Sequence, residues 1–286
     1  MRIGVVKEIW RFPVKSMQGA RIPSCSVSTQ GLLGDRCWAM RDEKRKEVQW
    51  GKKYPQLMQC NARYREDPAA GQIPQVDITF PDGTTVGSDD PTVHLKLTEL
   101  IGGEARLWPL QPAENREFYK RYKESDEQLI QDYVEAFARE EGEPLPDPTQ
   151  FPEVLMEHVA VPGTFFDNEE IHLLTTASLD RMRSLNPQGS WDVRRFRPNF
   201  LIETDEGIEG LVEQSWIGKQ LRIGSTVLTI AAATPRCGMP TRPQADLGYD
   251  SSVLRTIVRE ASQNFGVGAH CGQAGEIREG DVVDLS

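Results

Sequence analysis

Cys237 is the residue of this chain whose surroundings best suit chemistry. It follows Arg236 and precedes Gly238, in the run Ala-Ala-Thr-Pro-Arg-Cys-Gly-Met-Pro-Thr of residues 232–241. A neighbouring guanidinium favours the thiolate, which is the metal-binding form of cysteine. The glycine and prolines indicate a loop after the apolar run 221–230, and loops at strand ends often carry functional groups. We therefore predict a metal-binding or reactive thiol, although a lone cysteine is also typical of a small buried apolar side chain.

Two segments near the start of the chain contain groups suited to an anion. Lys15 and Ser16, between Pro13 and Gly19, offer an ammonium, a hydroxyl and a backbone N–H, which suits a phosphate; a solvated loop is the alternative. Arg36 follows Asp35 where two glycines, Gly31 and Gly34, make a tight turn before a strand, and it either faces a ligand or only pairs with its neighbour.

Two later segments carry the same kind of signal. Thr176 and Ser178 stand where a predicted strand runs into a helix, and helix N-termini bind anions; plain N-capping is the other interpretation. Asn199 and three arginines, Arg194, Arg195 and Arg197, lie just before a predicted buried strand. Burying guanidinium groups is costly unless an anion or an acid neutralises them. If the segment is extended, alternation places Arg195 and Arg197 on the same side, so we predict an anion site there, with a surface ion-pair network as the alternative.

The chain offers one convincing soft-metal ligand and several anion-binding segments. Its four histidines are scattered without HxH or HExxH spacing, which argues against a metal site made by protein ligands alone. A metal that arrives already chelated by an anionic, phosphate-bearing organic ligand needs only one protein thiolate. Molybdenum bound to a pyranopterin has this requirement.

Composition excludes several classes of protein. With 286 residues and 38% hydrophobic content, the chain can form one large domain or two ordinary ones. The formal net charge of −10 argues against non-specific nucleic-acid binding. Five cysteines without a CxxC pair argue against a disulfide framework and a structural zinc site. No apolar run is long enough to span a membrane and no secretory signal is present, so we expect a cytoplasmic protein.

The pattern of apolar and turn residues divides the chain into three parts. Residues 1–110 contain strand-like runs at 4–10, 24–28, 37–41, 76–80 and 92–97, and Asp82-Gly83 indicates a hairpin. Residues 111–155 are charged, with one helix predicted at 125–139 that either covers a barrel edge or docks a partner. Residues 156–286 return to strands at 170–174, 200–203 and 219–233, helices at 176–185 and 252–265, and a strand pair at 275–285.

These segments, taken in order, resemble the MOSC family, a domain found at the C-terminus of molybdenum-cofactor sulfurases. The matching motifs are Pro-Val-Lys-Ser, Gly-Asp-Arg-x-Trp, Leu-Leu-Thr-Thr-Ala-Ser-Leu, Arg-Phe-Arg-Pro-Asn, Arg-Cys and Gly-Glu-Ile-Arg-Glu-Gly-Asp. The resemblance implies an α+β fold that is predominantly β. It predicts an N-terminal β-barrel-like domain (1–110), a charged helical insertion or linker (111–155) and a MOSC β-barrel domain (156–286), packed together with a few helices.

The resemblance also implies a cofactor. In the amidoxime-reducing branch of the family, the Arg-Cys cysteine coordinates the molybdenum of the molybdenum cofactor, which here is Cys237. The residues that would hold the pterin and phosphate are Lys15, Ser16, Arg36, Thr176, Ser178, Arg197 and Asn199, to which we add Arg195 and Arg236 from the arginine signals above. After the cysteine, the chain reads Gly-Met-Pro-Thr-Arg-Pro-Gln, as in bacterial members of the family. This run is expected to line the substrate entrance.

Two functions are compatible with these residues. The first is a molybdenum-dependent oxidoreductase that reduces small N-hydroxylated compounds such as amidoximes, hydroxylamines or N-hydroxylated bases. A ferredoxin-like C-terminal domain is not seen, so electrons would come from a separate ferredoxin, flavoprotein or cytochrome b5-like donor. The second is a sulfur- or cofactor-carrier module with a persulfide on Cys237. Asp246 is either a proton donor or a surface acid, and Cys271 beside His270 is either a second thiol site or a core residue.

Overall fold

The computed structural model describes residues 1–286, with the side chain of Gln150 left aside. The strands are β1 (Arg2–Arg11), β2 (Ala20–Ile22), β3 (Ser24–Ser28), β4 (Gly31–Leu32), β5 (Trp38–Asp42), β6 (Glu47–Val48), β7 (Asn61–Tyr64), β8 (Val76–Thr79), β9 (Thr85–Gly87), β10 (Ala105–Pro109), β11 (Ile171–Thr175), β12 (Phe200–Thr204), β13 (Gln220–Ile223), β14 (Thr226–Pro235), β15 (Asn264–Gln273), β16 (Gly275–Arg278) and β17 (Val282–Leu285). The helices are α1 (Thr92–Ile101), α2 (Asp126–Phe137), α3 (Val154–Glu157), α4 (Thr176–Leu185) and α5 (Ser251–Glu260). The predicted α+β, predominantly β, fold is confirmed.

A closed barrel of seven strands forms the larger part of the fold. The strand order is β12-β11-β15-β14-β13-β17-β1, and β1 pairs back with β12. One strand of this barrel is therefore the first strand of the chain, whereas the other six come from residues after 170. Ile3, Val6 and Ile9 of β1 are buried in the barrel core, which explains why an apolar strand begins the sequence. Closure leaves these strands without free edges.

A second core lies in the N-terminal part. It combines the sheet β10-β5-β6, the sheet β7-β8-β9 and helix α1. The hairpin predicted at Asp82-Gly83 is confirmed, because β8 and β9 pair across that turn. The strand predicted at 92–97 is wrong: Val93 and Leu97, four residues apart, are both buried, Leu95 is exposed, and the segment is helix α1. Its alternation was fortuitous, since a spacing of four also describes one helix face.

The end of the chain also differs from the prediction. Helix α5 stops at Glu260 instead of continuing to residue 265. Ser262 and Gln263 have positive φ angles of 46° and 71°, which reverse the chain into the long strand β15. The predicted final strand pair is wrong as a pair, because β16 binds β3 and β17 binds β1 and β13.

Helix α2 confirms the helix predicted at 125–139, and the Ser125 hydroxyl caps it by accepting a bond from Gln128 N. The helix covers the loop that carries the cysteine. Gly238 N donates to Ala136 O at 2.9 Å, and Arg139 Nη2 donates to Arg236 O at 3.0 Å. The insertion therefore helps to hold the loop in place.

No helix within the described part of the chain is both long and apolar enough to cross a membrane.

Candidate functional site

A cavity of about 180 Å³ lies beside Cys237. Eight of the ten predicted site residues line it: Lys15, Ser16, Arg36, Arg195, Arg197, Asn199, Arg236 and Cys237. They come from the loop after β1, the turn between β4 and β5, the segment before β12 and the loop after β14. The fold thus brings together groups separated by more than two hundred positions in sequence.

Three of these residues have a left-handed backbone. The φ angles are 67° at Ser16, 51° at Arg36 and 54° at Arg197. This conformation costs non-glycine residues about 1–3 kcal/mol each, and it concentrates at functional sites. At Ser16 the turn is fixed by a hydrogen bond, because Gly51 N donates to Ser16 Oγ at 2.8 Å.

Lys15 is almost fully buried at the cavity wall. Its Nζ donates to Phe165 O at 2.7 Å and to Asp167 Oδ1 at 2.5 Å. Burial lowers the pKa of Lys15, and the Asp167 carboxylate opposes that shift. Burial would raise the pKa of Asp167, but Lys15 and Lys52 hold that pKa below its usual range. The lysine thus favours the charged form of the Asp167 carboxyl group.

A buried carboxylate, Asp35, organises the neighbouring arginines. It accepts hydrogen bonds from Phe12 N at 2.7 Å and from Asn199 Nδ2 at 3.0 Å, and it pairs with Arg36. The guanidinium groups of Arg36 and Arg197 lie 5.2 and 4.2 Å from the centre of the Phe12 ring. Asn199 thus positions other groups, and the alternative of a local Asp35–Arg36 pair is present in the structure.

Arg197 retains unused hydrogen-bonding capacity. Its Nη1 donates to Met17 O at 2.6 Å, whereas its buried Nη2 has no partner among the described residues. Burial lowers its pKa to about 9, and the nearby Arg36 adds to that shift. A buried donor without a partner costs free energy, and an anionic ligand would remove that cost.

His172 and Thr234 also have polar atoms without hydrogen-bond partners at this cavity. His172 Nε2 and Thr234 Oγ1 are buried without partners in the described structure, and both residues line the cavity. Burial, with Arg236 and Arg36 nearby, lowers the pKa of His172 to about 3, so its imidazole is neutral. Sequence reasoning missed His172, Thr234, Lys52 and Asp167. For His172 a signal existed, namely a polar residue between Ile171 and Leu173 in an otherwise apolar strand.

Thr176 and Ser178 do not line this cavity. The Thr175 hydroxyl caps helix α4 by accepting from Ser178 N at 3.1 Å. The hydroxyls of Thr175 and Ser178 donate to Glu213 Oε2 at 2.8 and 2.5 Å, and Thr176 Oγ1 accepts from Thr204 N at 3.1 Å. The anion at this helix N-terminus is therefore the chain's own carboxylate. The cavity lining gives no support to the prediction that Thr176 and Ser178 hold a cofactor.

The arginine segment is not extended, which corrects the expected alternation. Residues Val193–Arg195 form a 3₁₀ turn, and Arg197 is left-handed. The Arg195 guanidinium donates to the carbonyls of Ser190, Pro240, Arg242 and Gly248. Arg194 points away and pairs with Asp192 and Asp246. Asp246 is 72% exposed in that pair and is not among the cavity residues, in agreement with its interpretation as a surface acid.

The cavity is basic, whereas the chain as a whole is acidic. The net charge of the protein is −10. The cavity nevertheless has six basic side chains against two acidic ones: Lys15, Arg36, Lys52, Arg195, Arg197 and Arg236 against Asp167 and Glu169. Such a local cluster attracts an anion to an acidic protein.

Elsewhere, Cys271 is buried in the barrel core, as the core interpretation of that thiol predicts. Within the described residues, no group of three or more His, Cys, Asp or Glu side chains is arranged to hold a metal ion.

Comparisons with known proteins agree with the order of the motifs. The family model described as MOSC domain matches residues 162–284, and the MOSC N-terminal beta barrel domain matches residues 3–106. The mitochondrial amidoxime reducing component 2 of Bos taurus is 24% identical, over 99% of this chain and 83% of that protein.

Solved structures also match. The YUAD protein of Bacillus subtilis aligns over 99% of this chain and 95% of its own, with 9% identity and a TM-score of 0.45. YiiM of Geobacillus stearothermophilus aligns over 41% of this chain and 54% of its own, with 11% identity and a TM-score of 0.30.

Proposed function

This chain belongs to the MOSC family, with a MOSC N-terminal beta barrel domain followed by a MOSC domain, and on that premise we propose that it is a molybdenum-cofactor-dependent oxidoreductase that reduces small N-hydroxylated compounds. The observation that supports this most is the single cavity that Cys237 shares with six basic side chains. A thiolate suits a soft metal, and the basic wall suits the phosphate and pterin that would carry it.

The cavity residues fit such a cofactor in their chemistry. Arg197 Nη2, His172 Nε2 and Thr234 Oγ1 are buried and have no partner among the described residues, so they are free to bind a polar anionic group. Lys15 and Arg36 are fixed by Asp167 and Asp35 and contribute positive charge without needing to move. Asn199 and Arg195 are occupied by protein groups, and their role is to shape the site.

When bound, the cofactor would supply a metal that changes oxidation state by two electrons. The overall reaction would convert R–NH–OH, two electrons and two protons into R–NH₂ and water, with cleavage of the N–O bond. The two electrons would come from a separate electron-donor protein. Cys237 would bind the metal, the basic side chains would orient the cofactor, and helix α2 with Phe137 would restrict the access of water to the cavity.

The relatives support this direction without identifying a substrate. The bovine relative is named as an amidoxime reducing component, and it aligns with almost the whole of this chain. Amidoximes are one class of N-hydroxylated compound, so they belong in the first substrate screen.

Metal and pterin content per chain tests the proposal. The protein is made in a host that synthesises the cofactor, as wild type, as Cys237→Ala and as Cys271→Ala, which removes a buried core thiol as a control. We expect near-stoichiometric molybdenum in wild type and Cys271→Ala, and metal loss or an altered molybdenum spectrum in Cys237→Ala. Wild type without molybdenum would overturn the proposal. A labile sulfane sulfur that disappears in Cys237→Ala would then favour the persulfide carrier.

A further inference from the structure

A second cavity of about 950 Å³ adjoins the first. Five residues line both cavities and form part of the wall between them: Arg36, Phe151, Phe166, Asn168 and Glu169. Phenylalanines line both cavities, and the second has Phe151, Phe165 and Phe166 together with aliphatic side chains. The two cavities differ in charge, because Arg36 is the only lysine or arginine side chain of the described chain that lines the second. Its volume lies within the range of sites that take small organic molecules, which are mostly apolar with a few polar groups.

Glu169 is a carboxyl group at this wall, and the only positive group in the described structure that acts on its pKa is the nearby His270. Its Oε1 accepts a hydrogen bond from Asn168 Nδ2 at 2.8 Å, and no ion pair to it is found among the described residues. Its neighbour Glu170 is engaged by His270 Nδ1 at 2.7 Å, and Arg36 is engaged by Asp35. Burial raises the pKa of Glu169, as expected for a carboxyl group without a bound cation.

The backbone of β15 holds this carboxylate in place. A Cβ atom built on Gly268 would lie 2.3 Å from Glu169 Oε2, so the carboxylate packs directly against the glycine. Gly268 is itself fixed by pairing with His172 on one side and Ala232 on the other. The barrel therefore sets the position of the Glu169 carboxyl group at the wall.

We propose that the second cavity binds a planar organic cation of the amidinium or guanidinium type, with its aromatic body against the phenylalanines and its charged end against Glu169. A carboxylate and an amidinium match through two parallel hydrogen bonds, as in Arg–carboxylate pairs. Because Glu169 lines both cavities, the nitrogen atoms of the ligand are directed to the side that contains Cys237. This proposal rests on the proposed function only in identifying the cation as the product of N-hydroxy reduction.

Calorimetric titration of the full chain, with and without cofactor, tests the site. Benzamidine is the cationic probe, benzamide its neutral analogue and benzoate its anionic analogue. We expect wild type to bind benzamidine on the order of ten-fold more tightly than benzamide, as one charge-assisted contact allows. Glu169→Gln should remove that preference, and Gly268→Ala should weaken it by displacing the carboxylate while leaving its charge.

Glu170→Gln is the matched control, because it removes the adjacent carboxylate that already has His270 as its partner. Equal affinity for benzamidine and benzamide in wild type, tighter binding of benzoate, or an equal loss in both Gln variants would overturn the proposal. The result is separable from the metal analysis. If wild type takes up no molybdenum in the host that makes the cofactor but still shows Glu169-dependent binding of benzamidine, the cation site is retained and the reductase is overturned. A molybdenum-loaded protein that does not bind benzamidine through Glu169 would overturn the cation site and retain the reductase.

Discussion

Lys15 and Asp167 form an ion pair across 152 positions of sequence, with Nζ and Oδ1 2.5 Å apart. Lys15 belongs to the loop after β1, and Asp167 lies just before β11. The lysine side chain is 4% exposed, whereas that of the aspartate is 49% exposed. The pair therefore fixes an internal cation at the cavity wall through a carboxylate that water still reaches.

Substitution of Lys15 is expected to weaken the fold measurably. Lys15→Met removes hydrogen bonds to Phe165 O and Asp167, and we expect it to lower the free energy of unfolding by about 1–2 kcal/mol, since one partner is solvated. Urea denaturation measures the change. Lys7→Met is the control, because the Lys7–Glu203 pair is exposed on both sides and should contribute less than about 0.5 kcal/mol. Equal losses in the two variants would contradict this account.

Arg197 and Arg194 provide a matched pair for cofactor retention. A lysine at position 197 cannot at once lie over the Phe12 ring, reach Met17 O and present a second donor to the cavity. We expect Arg197→Lys to reduce pterin content after gel filtration by about ten-fold, corresponding to roughly 1.4 kcal/mol. Arg194→Lys alters only the pairs with Asp192 and Asp246, so its pterin content should match wild type. Equal retention in all three proteins would refute a role of Arg197 in binding.

Ser178 separates a structural role from a cofactor-binding one. Its hydroxyl donates to the buried Glu213 carboxylate at 2.5 Å and lies outside the cavity lining. Ser178→Ala should therefore lower the free energy of unfolding by about 1–2 kcal/mol while metal content per folded chain stays unchanged. Thermal unfolding and elemental analysis of the same samples give both values. A fall in metal content without a loss of stability would restore the prediction made from the sequence.

Glu213 is expected to make stability depend on pH. Burial raises its pKa from the ordinary 4.5, while the hydroxyls of Ser178 and Thr175 oppose the shift. A carboxyl group with a raised folded-state pKa stabilises the fold below its unfolded pKa, and that contribution is lost as the pH rises through the folded value. The wild-type free energy of unfolding should therefore fall from about pH 4.5 upwards relative to Glu213→Gln. Urea denaturation across this pH range measures the free energy of unfolding of both proteins. The same pH dependence in both would contradict a raised pKa of Glu213.

Much of the fold was predictable because its signals are local. The hairpin at Asp82-Gly83 and the cap of helix α4 depend on residues within a few positions of each other. The strand predicted at 92–97 failed for a related reason, since six residues are too few to distinguish a period of two from a spacing of four. Strand β15 was missed because left-handed residues at 262 and 263 carry neither glycine nor proline.

The site was predictable only where a residue type was unusual for its surroundings. Cys237 and the arginines before β12 met that condition, and the structure places them at one cavity. Lys52 and Asp167 did not, because charged residues in loops are ordinary and only tertiary structure brings these two beside Lys15. The N-terminus of helix α4 could not be assigned to a ligand or to a protein group from the sequence, for the same reason. The carboxyl group bound there belongs to Glu213, which is distant in sequence.

The closure of the barrel by β1 has a consequence for how the protein is made. Arg2 pairs with Asp284, and Val5 pairs with both Val282 and Glu203. During synthesis, strand β1 must therefore wait until residues 282–285 have been made before both of its neighbours exist. The N-terminal core has all of its strands within the first 110 residues and can form earlier. Because such distant pairing is slow, closing the barrel is the step at which a nascent chain exposes unpaired strand edges longest and depends most on protection from aggregation.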